Sequence, residues 1–233
     1  QQKYLKQKDQ QSKILSSAGL LTNQKSIEEL FSAIEERVIN LDTGEYEDSL
    51  DPKSFDGKKF EAEDYSRDPL TSIKLTTDVD ISSLKRRENF KKIYIYKEEN
   101  EIKAIILPVR GLGLWGTLYG YLAIESDLNT IIGLEYFSHK ETPGLGAEVD
   151  NPRWKSQWKG KNIYSSAGEI KIEVIKGLVE PESPEKKYQV DGLSGATITS
   201  RGVSNMLSFW LGELGYAKFL NRLKEEIERK ENF

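Results

Sequence analysis

Four apolar stretches in two close pairs constrain this chain more than anything else in it. Ile93-Tyr-Ile-Tyr96 and Ile102 to Val109 flank the polar Glu98-Glu-Asn-Glu101, and Leu118 to Ile124 and Ile131 to Phe137 flank Ser126-Asp-Leu-Asn-Thr130. β-Branched and aromatic residues dominate each stretch, and such residues fit a pleated, half-buried surface. Each pair therefore reads as a β-hairpin. Another half-buried strand is expected where Ile170, Ile172 and Val174 alternate with Lys171 and Glu173, and a strand end is expected at Lys187 to Val190.

Helical patterns bracket these strands. Residues 1–17 are rich in Gln and Lys with sparse apolar positions (Tyr4, Leu5, Ile14, Leu15), which reads as a loosely held helix or arm. Ser26-Ile-Glu-Glu29 is a capping box, in which each end satisfies an orphan N–H of the other. Ile27, Leu30, Phe31, Ile34 and Val38 follow on one helical face. That helix is expected to give way to a strand near Val38 to Leu41, stopped by the turn at Asp42-Thr43-Gly44. Val203, Met206, Leu207, Trp210, Leu211 and Leu214 trace a later helical stripe, with Gly215 suited to its C-terminal cap. Phe219, Leu220, Leu223 and Ile227 continue into a last helix. Residues 45–90 carry Pro52, Gly57 and Pro69 and little pattern. They read as a polar peripheral excursion with short helices. The order of elements gives an α+β fold, a mainly antiparallel sheet with N-terminal and C-terminal helices packed around it. In domain terms, residues 1–25 form a helical arm and 26–233 one domain carrying the excursion at 45–90.

Composition removes whole classes of function. The 233 residues contain no cysteine and one histidine, His139. Disulfides, iron–sulfur ligation and a thiol nucleophile are excluded, and a His-based metal site or Ser-His-Asp triad is nearly untenable. A net charge of -4 argues against nucleic acid or anionic lipid as the main partner. No apolar run approaches the ~20 residues that span a bilayer. The chain starts at Gln1, which fits a mature product cut from something longer.

Three motifs could carry chemistry. Gly111-Leu-Gly113-Leu-Trp-Gly116 fits the dinucleotide fingerprint, but that fingerprint needs a helix to follow, and Thr117 to Ile124 reads as strand. The alternatives are a glycine-rich turn with Trp115 as an aromatic wall beside a ligand, or a plain turn with a core tryptophan. The second motif is His139-Lys-Glu-Thr-Pro-Gly-Leu-Gly-Ala-Glu-Val149. There Thr142-Pro143-Gly144 marks a tight turn, Gly144 and Gly146 leave backbone accessible, and Ala147 opens a short helix toward Trp154 and Trp158. The third is Asp191-Gly-Leu-Ser-Gly-Ala-Thr-Ile-Thr-Ser200, between a strand end and a strong helix. Small residues and hydroxyls at a helix start suit a phosphate, because the first N–H groups lack partners and the helix dipole is positive there. A turn with an N-cap is the plainer account of the same residues.

Asp191, Ser194, Gly195, Ala196 and Thr197 resemble the flavinylation motif of the FMN-binding domain family. The resemblance implies that Thr197 carries FMN as a covalent phosphoester, with Ser194, Gly195, Ala196, Ile198 and Thr199 framing the phosphate. It implies that Glu141, Thr142, Gly144, Leu145 and Gly146, with Trp115, face the isoalloxazine. Asp191 would belong to the motif read by a separate flavin transferase that uses FAD. The segment Val149-Asp-Asn-Pro-Arg-Trp154, with Pro108 to Gly120, narrows the resemblance to the C-subunit family of the sodium-translocating NADH:quinone oxidoreductases.

The related G subunit of the Rnf complex shares the flavinylation motif and is the alternative within the family. The implied role is an electron carrier in a membrane complex that passes electrons from NADH to quinone and exports sodium. Its partners would be the other subunits, and its place the extracytoplasmic side of the bacterial inner membrane, behind an N-terminal anchor that this sequence lacks. A non-redox envelope module that binds a phosphate or sugar through 194–200 is the alternative of another class.

Overall fold

A computed structural model describes residues 1–53 and 66–233. Its central strands are β1 (Ile34–Asn40), β4 (Phe90–Glu98), β5 (Glu101–Leu112), β6 (Thr117–Glu125) and β7 (Ile131–Ser138). They form a five-stranded antiparallel sheet ordered β1-β4-β5-β6-β7. The two expected hairpins are its spine, with Ile105 opposite Ile124 and Ile95 opposite Ile105. Alternation along the strands splits the side chains between two cores. Ile93, Ile95, Ile105, Leu107, Val109, Leu118 and Leu122 face one side. Tyr94, Ala104, Ile106, Tyr121 and Ala123 face the other.

The helices cover both faces, as the fold class requires. α1 (Gln2–Ser17) and α2 (Ile27–Phe31) lie on the second face, where Ile14 and Leu15 of α1 are buried. The first turns of α1 are exposed, so the arm is held by its last turns. A short α3 (Pro152–Lys155) precedes α4 (Thr197–Trp210) and α5 (Ala217–Glu231). α4 and α5 cover the first face through Val203, Met206, Leu207, Trp210, Phe219, Leu220 and Leu223. Among the described residues no helix is long and apolar enough to cross a membrane.

Several local expectations need correction. The capping box at Ser26 and Glu29 forms, but α2 stops at Phe31. Ile34 and Val38 lie in β1, paired with Tyr96 and Lys92 of β4. Cross-strand pairing with an already apolar neighbour outweighs a 3.6-residue periodicity that also fits a strand's buried positions. The half-buried strand at 170–175 reduces to β8 (Glu173–Val174), which pairs in parallel with β9 (Gln189–Val190). Gly215 does not cap α4, which ends at Trp210. It permits close passage instead, since a Cβ there would collide with the backbone of Trp210.

The stretch 45–90 is less peripheral than its polarity suggests, although part of it, 54–65, lies outside the described residues. β2 (Ser72–Lys74) and β3 (Arg86–Glu88) pair, and Leu75 joins the first core. Arg87 and Glu88 are both 1% exposed. Glu88 binds Lys91 and Arg110, each at 2.6 Å. Burial alone would raise its carboxyl, but the two cations hold it down at about 2. Trp210 closes the cluster, with Lys91 Nζ 4.6 Å from its ring and its Nε1 donating to the Arg110 carbonyl.

Candidate functional site

The two glycine-rich loops and the start of α4 meet at one end of the sheet. β5 and β6 are joined by a tight turn in which Gly113 N donates to the Gly116 carbonyl. β6 begins at Thr117, so no helix follows the glycines and the dinucleotide fingerprint is a hairpin turn. Trp115 stands on that turn, 65% exposed, beside Leu114. It is not a core tryptophan.

The loop after β7 turns as its sequence requires. Leu145 N donates to the Thr142 carbonyl, with Pro143 and then Gly144 at φ +77° between them, the residue pattern of a type II turn. Thr142 and Gly144 are exposed, Leu145 is exposed, and Gly146 is buried at the start of a 3₁₀ turn. His139 is not idle surface. Its Nε2 lies 2.7 Å from Asp150 Oδ2, while its Nδ1 accepts from Glu141 N.

The Asp191–Ser200 block runs from β9 into α4. Gly195 has φ +69°, where a side chain is strained, and a Cβ there would sit 3.0 Å from Leu145. This contact places the two loops side by side. Ser194, Gly195, Thr197 and Ile198 are exposed, whereas Ala196 is buried. Thr197 is the first residue of a 14-residue helix that has no side-chain cap and no acidic residue in its first turn. Such an end presents unpartnered N–H groups and a positive dipole to an anion.

The hydroxyls of Thr199 and Ser200 are spent on the protein. The Ser200 hydroxyl donates to the Ala196 carbonyl and accepts from Leu193 N at 3.0 Å. The Thr199 hydroxyl, fully buried, donates to Glu141 Oε2. Glu141 also accepts from Leu114 N at 3.1 Å and Trp115 N at 3.0 Å. Its carboxylate therefore ties the hairpin turn, its own loop and the first turn of α4 together.

Asp191 and the 150–154 segment are joined as well, a link that spans too much sequence to be read from it. Asn151 caps α3 through Arg153 N, with Pro152 at the first helical position. This aims Trp154 Nε1 at the Asp191 carbonyl, 2.7 Å away. The Asp191 carboxylate accepts from Val179 N at 2.7 Å. Trp154 and Asp191 thus fix where the block leaves β9.

The outcome is a shallow platform. One exposed threonine hydroxyl stands at a bare helix end, and Trp115, Leu145 and Ile198, 65%, 43% and 55% exposed, are presented by the three segments that meet there. An uncapped helix end is of the kind that suits a phosphate, and exposed apolar side chains are of the kind that suit a flat heterocycle. Ala196 is 5% exposed and packs into the first core.

This arrangement is that of an FMN-binding domain, and residues 113–212 match the FMN-binding domain family. Over 221 residues the chain is 45% identical to the C subunit of the Na(+)-translocating NADH-quinone reductase of Pseudomonas aeruginosa, covering 93% of this chain and 83% of the relative. The crystal structure of Shewanella oneidensis NqrC superposes with a TM-score of 0.86 at 33% identity, covering 95% of this chain and 99% of the other. The corresponding protein of Parabacteroides distasonis gives a TM-score of 0.65 at 30% identity, covering 94% of each chain. The chain belongs to the C-subunit family of the Na(+)-translocating NADH-quinone reductases.

Proposed function

We propose that the protein is the electron-carrying subunit of a Na(+)-translocating NADH-quinone reductase, with FMN joined through its phosphate to the Thr197 hydroxyl. The observation that carries this reading is the exposed Thr197 at the uncapped start of α4, on a segment that Glu141 ties to those presenting the exposed Trp115 and Leu145. FMN supplies one- and two-electron chemistry when bound.

The chain's residues hold and orient it. The first N–H groups of α4 bind the phosphate, each worth about 1 kcal/mol, with the dipole adding ~0.3–1 kcal/mol. An open platform held by so few contacts would lose a free cofactor, and an ester bond prevents that loss. Trp115, Leu145 and Ile198 cover the ring's apolar faces. Gly144 and Thr142 leave room along its edge. Ser194, Gly195 and Ala196 shape the turn that presents Thr197.

Ester formation requires a separate transferase with FAD as donor. The Thr197 oxygen gains the bond to the FMN phosphorus, the pyrophosphate bond breaks, AMP leaves and the hydroxyl proton is released. Placement on the extracytoplasmic side, behind a membrane anchor, belongs to the same reading and rests on the family resemblance. So do the other subunits as redox partners and the coupling to sodium export.

Co-expression with the transferase tests the attachment. The unaltered chain is expected to run as a flavin-fluorescent band after denaturation, and Thr197→Ala to run dark. A fluorescent Thr197→Ala band would show that the attachment lies elsewhere.

A further inference from the structure

We infer that Glu141 is a positioning residue that also lowers the reduction potential of the flavin, by keeping a carboxylate without an ion-pair partner where the three segments of the site meet. This deepens the flavin reading above and rests on it. Glu141 is 6% exposed. Its two oxygens accept from the amides of Leu114 and Trp115 and from the Thr199 hydroxyl. Among the described residues it forms no ion pair. Buried carboxylates are ordinarily matched by a cation, and this protein does that for Glu88 with Lys91 and Arg110.

The carboxylate occupies space that only glycine leaves open. A Cβ on Gly113 would stand 2.6 Å from Glu141 Oε1. A Cβ on Gly146 would stand 2.6 Å from Thr199 Oγ1 and 2.7 Å from Glu141 Oε2. Two glycines on two segments thus admit the carboxylate from either side. The three segments it ties together are those that present Trp115, Leu145 and Ile198. A ligand held by those segments is held next to the residue that joins them.

The charge has a consequence that packing alone does not. Reduction adds negative charge to the ring, and a nearby carboxylate in a poorly solvated site opposes it. Removing the charge raises the potential, and because the group is buried, salt screens the effect weakly. Breaking the hydrogen bond from Thr199 loosens the platform but keeps the charge.

The test compares Glu141→Gln with Thr199→Val in the flavin-loaded chain, by redox titration at two ionic strengths. The expected result is an upward shift of midpoint potential in Glu141→Gln that persists at high salt. Thr199→Val should hold the potential while speeding flavin-ring motion in fluorescence anisotropy, and Thr199→Ser should restore the unaltered anisotropy. Equal potentials in Glu141→Gln and the unaltered chain, or an equal shift in Thr199→Val, would overturn the inference.

Should Glu141→Gln not accumulate, infrared difference spectra of the unaltered flavin-loaded chain serve instead. An ionised-carboxylate band that moves on flavin reduction is expected, and a spectrum without one contradicts the inference. An unaltered chain that takes up no flavin at all would refute the flavin reading, a separate outcome.

Discussion

Glu88 and Glu141 are both buried acids fastened to the same length of chain, one through Arg110 within β5 and the other through the amides of Leu114 and Trp115 just past its end. Their surroundings differ in kind. Glu88 meets two basic groups, Lys91 and Arg110, for its one carboxylate. Glu141 meets only dipoles. A carboxylate held by cations is an internal tie whose charge is felt little outside. A carboxylate held by dipoles has no ion-pair partner, and the protein places that one where the hairpin turn, its own loop and α4 meet. The same residue type joins excursion to sheet in one place and shapes a site in the other.

The largest break in this comparison is Glu88→Ala, which strands Lys91 and Arg110 as buried, unpaired cations. A loss of about 3–5 kcal/mol is expected in urea unfolding. The same acid sets an acid limb. Its folded carboxyl is held at about 2 against an ordinary 4.5. A depressed carboxyl stabilises fully above its unfolded value and loses that contribution as pH falls through its folded one. Stability should therefore decline from about pH 4.5 toward pH 2, and Glu88→Gln should flatten that part of the profile. An unchanged acid limb in Glu88→Gln would assign it to other groups.

Gly146→Ala tests the other acid. Its Cβ must displace Thr199 or Glu141, and overpacking of this kind costs roughly 1–3 kcal/mol. Thermal unfolding should show that loss, together with a lower yield of flavin-loaded chain. A variant as stable and as fully loaded as the original would mean that the carboxylate cage is slack.

The smallest effect is expected for Lys91→Met. Burial lowers the Lys91 ammonium, with Glu88 opposing and Arg110 adding to that shift. Removing it discards one of the two basic groups and leaves Glu88 paired with Arg110. The cost should stay below about 1.5 kcal/mol, typical of a volume-conserving swap. A loss as large as that of Glu88→Ala would show that both cations are needed.

The strands are the legible part of this molecule. The hairpins of β4–β5 and β6–β7 announce themselves through β-branched runs around polar turns, because their pairing is local. The helix stripes of α4 and α5 are equally plain. Ile34 and Val38 mislead because their spacing fits a helix face as well as the buried positions of a strand, and the partner that decides, β4, begins at Phe90. Arg87 and Glu88 look like ordinary surface charge because Glu88's partner Arg110 lies 22 residues away.

Within the site, Thr197, Trp115, Leu145 and Ile198 can be singled out from the sequence. Glu141 and Thr199 can be named but not joined. Their hydrogen bond spans 58 residues, and only the fold turns the carboxylate inward. Glycines on both sides of a lone acidic residue, as at Gly113 and Gly146, are the signal that points to a caged carboxylate.

The central claim is that Thr197 carries FMN. Mass spectrometry of the proteolytic peptide spanning Asp191 to Arg201, from chain co-expressed with the transferase, addresses it directly. The account predicts a peptide heavier by one FMN less one water, with fragment ions that place the addition on Thr197. An unmodified peptide from a yellow protein, or an addition on Ser194, Thr199 or Ser200, would contradict it.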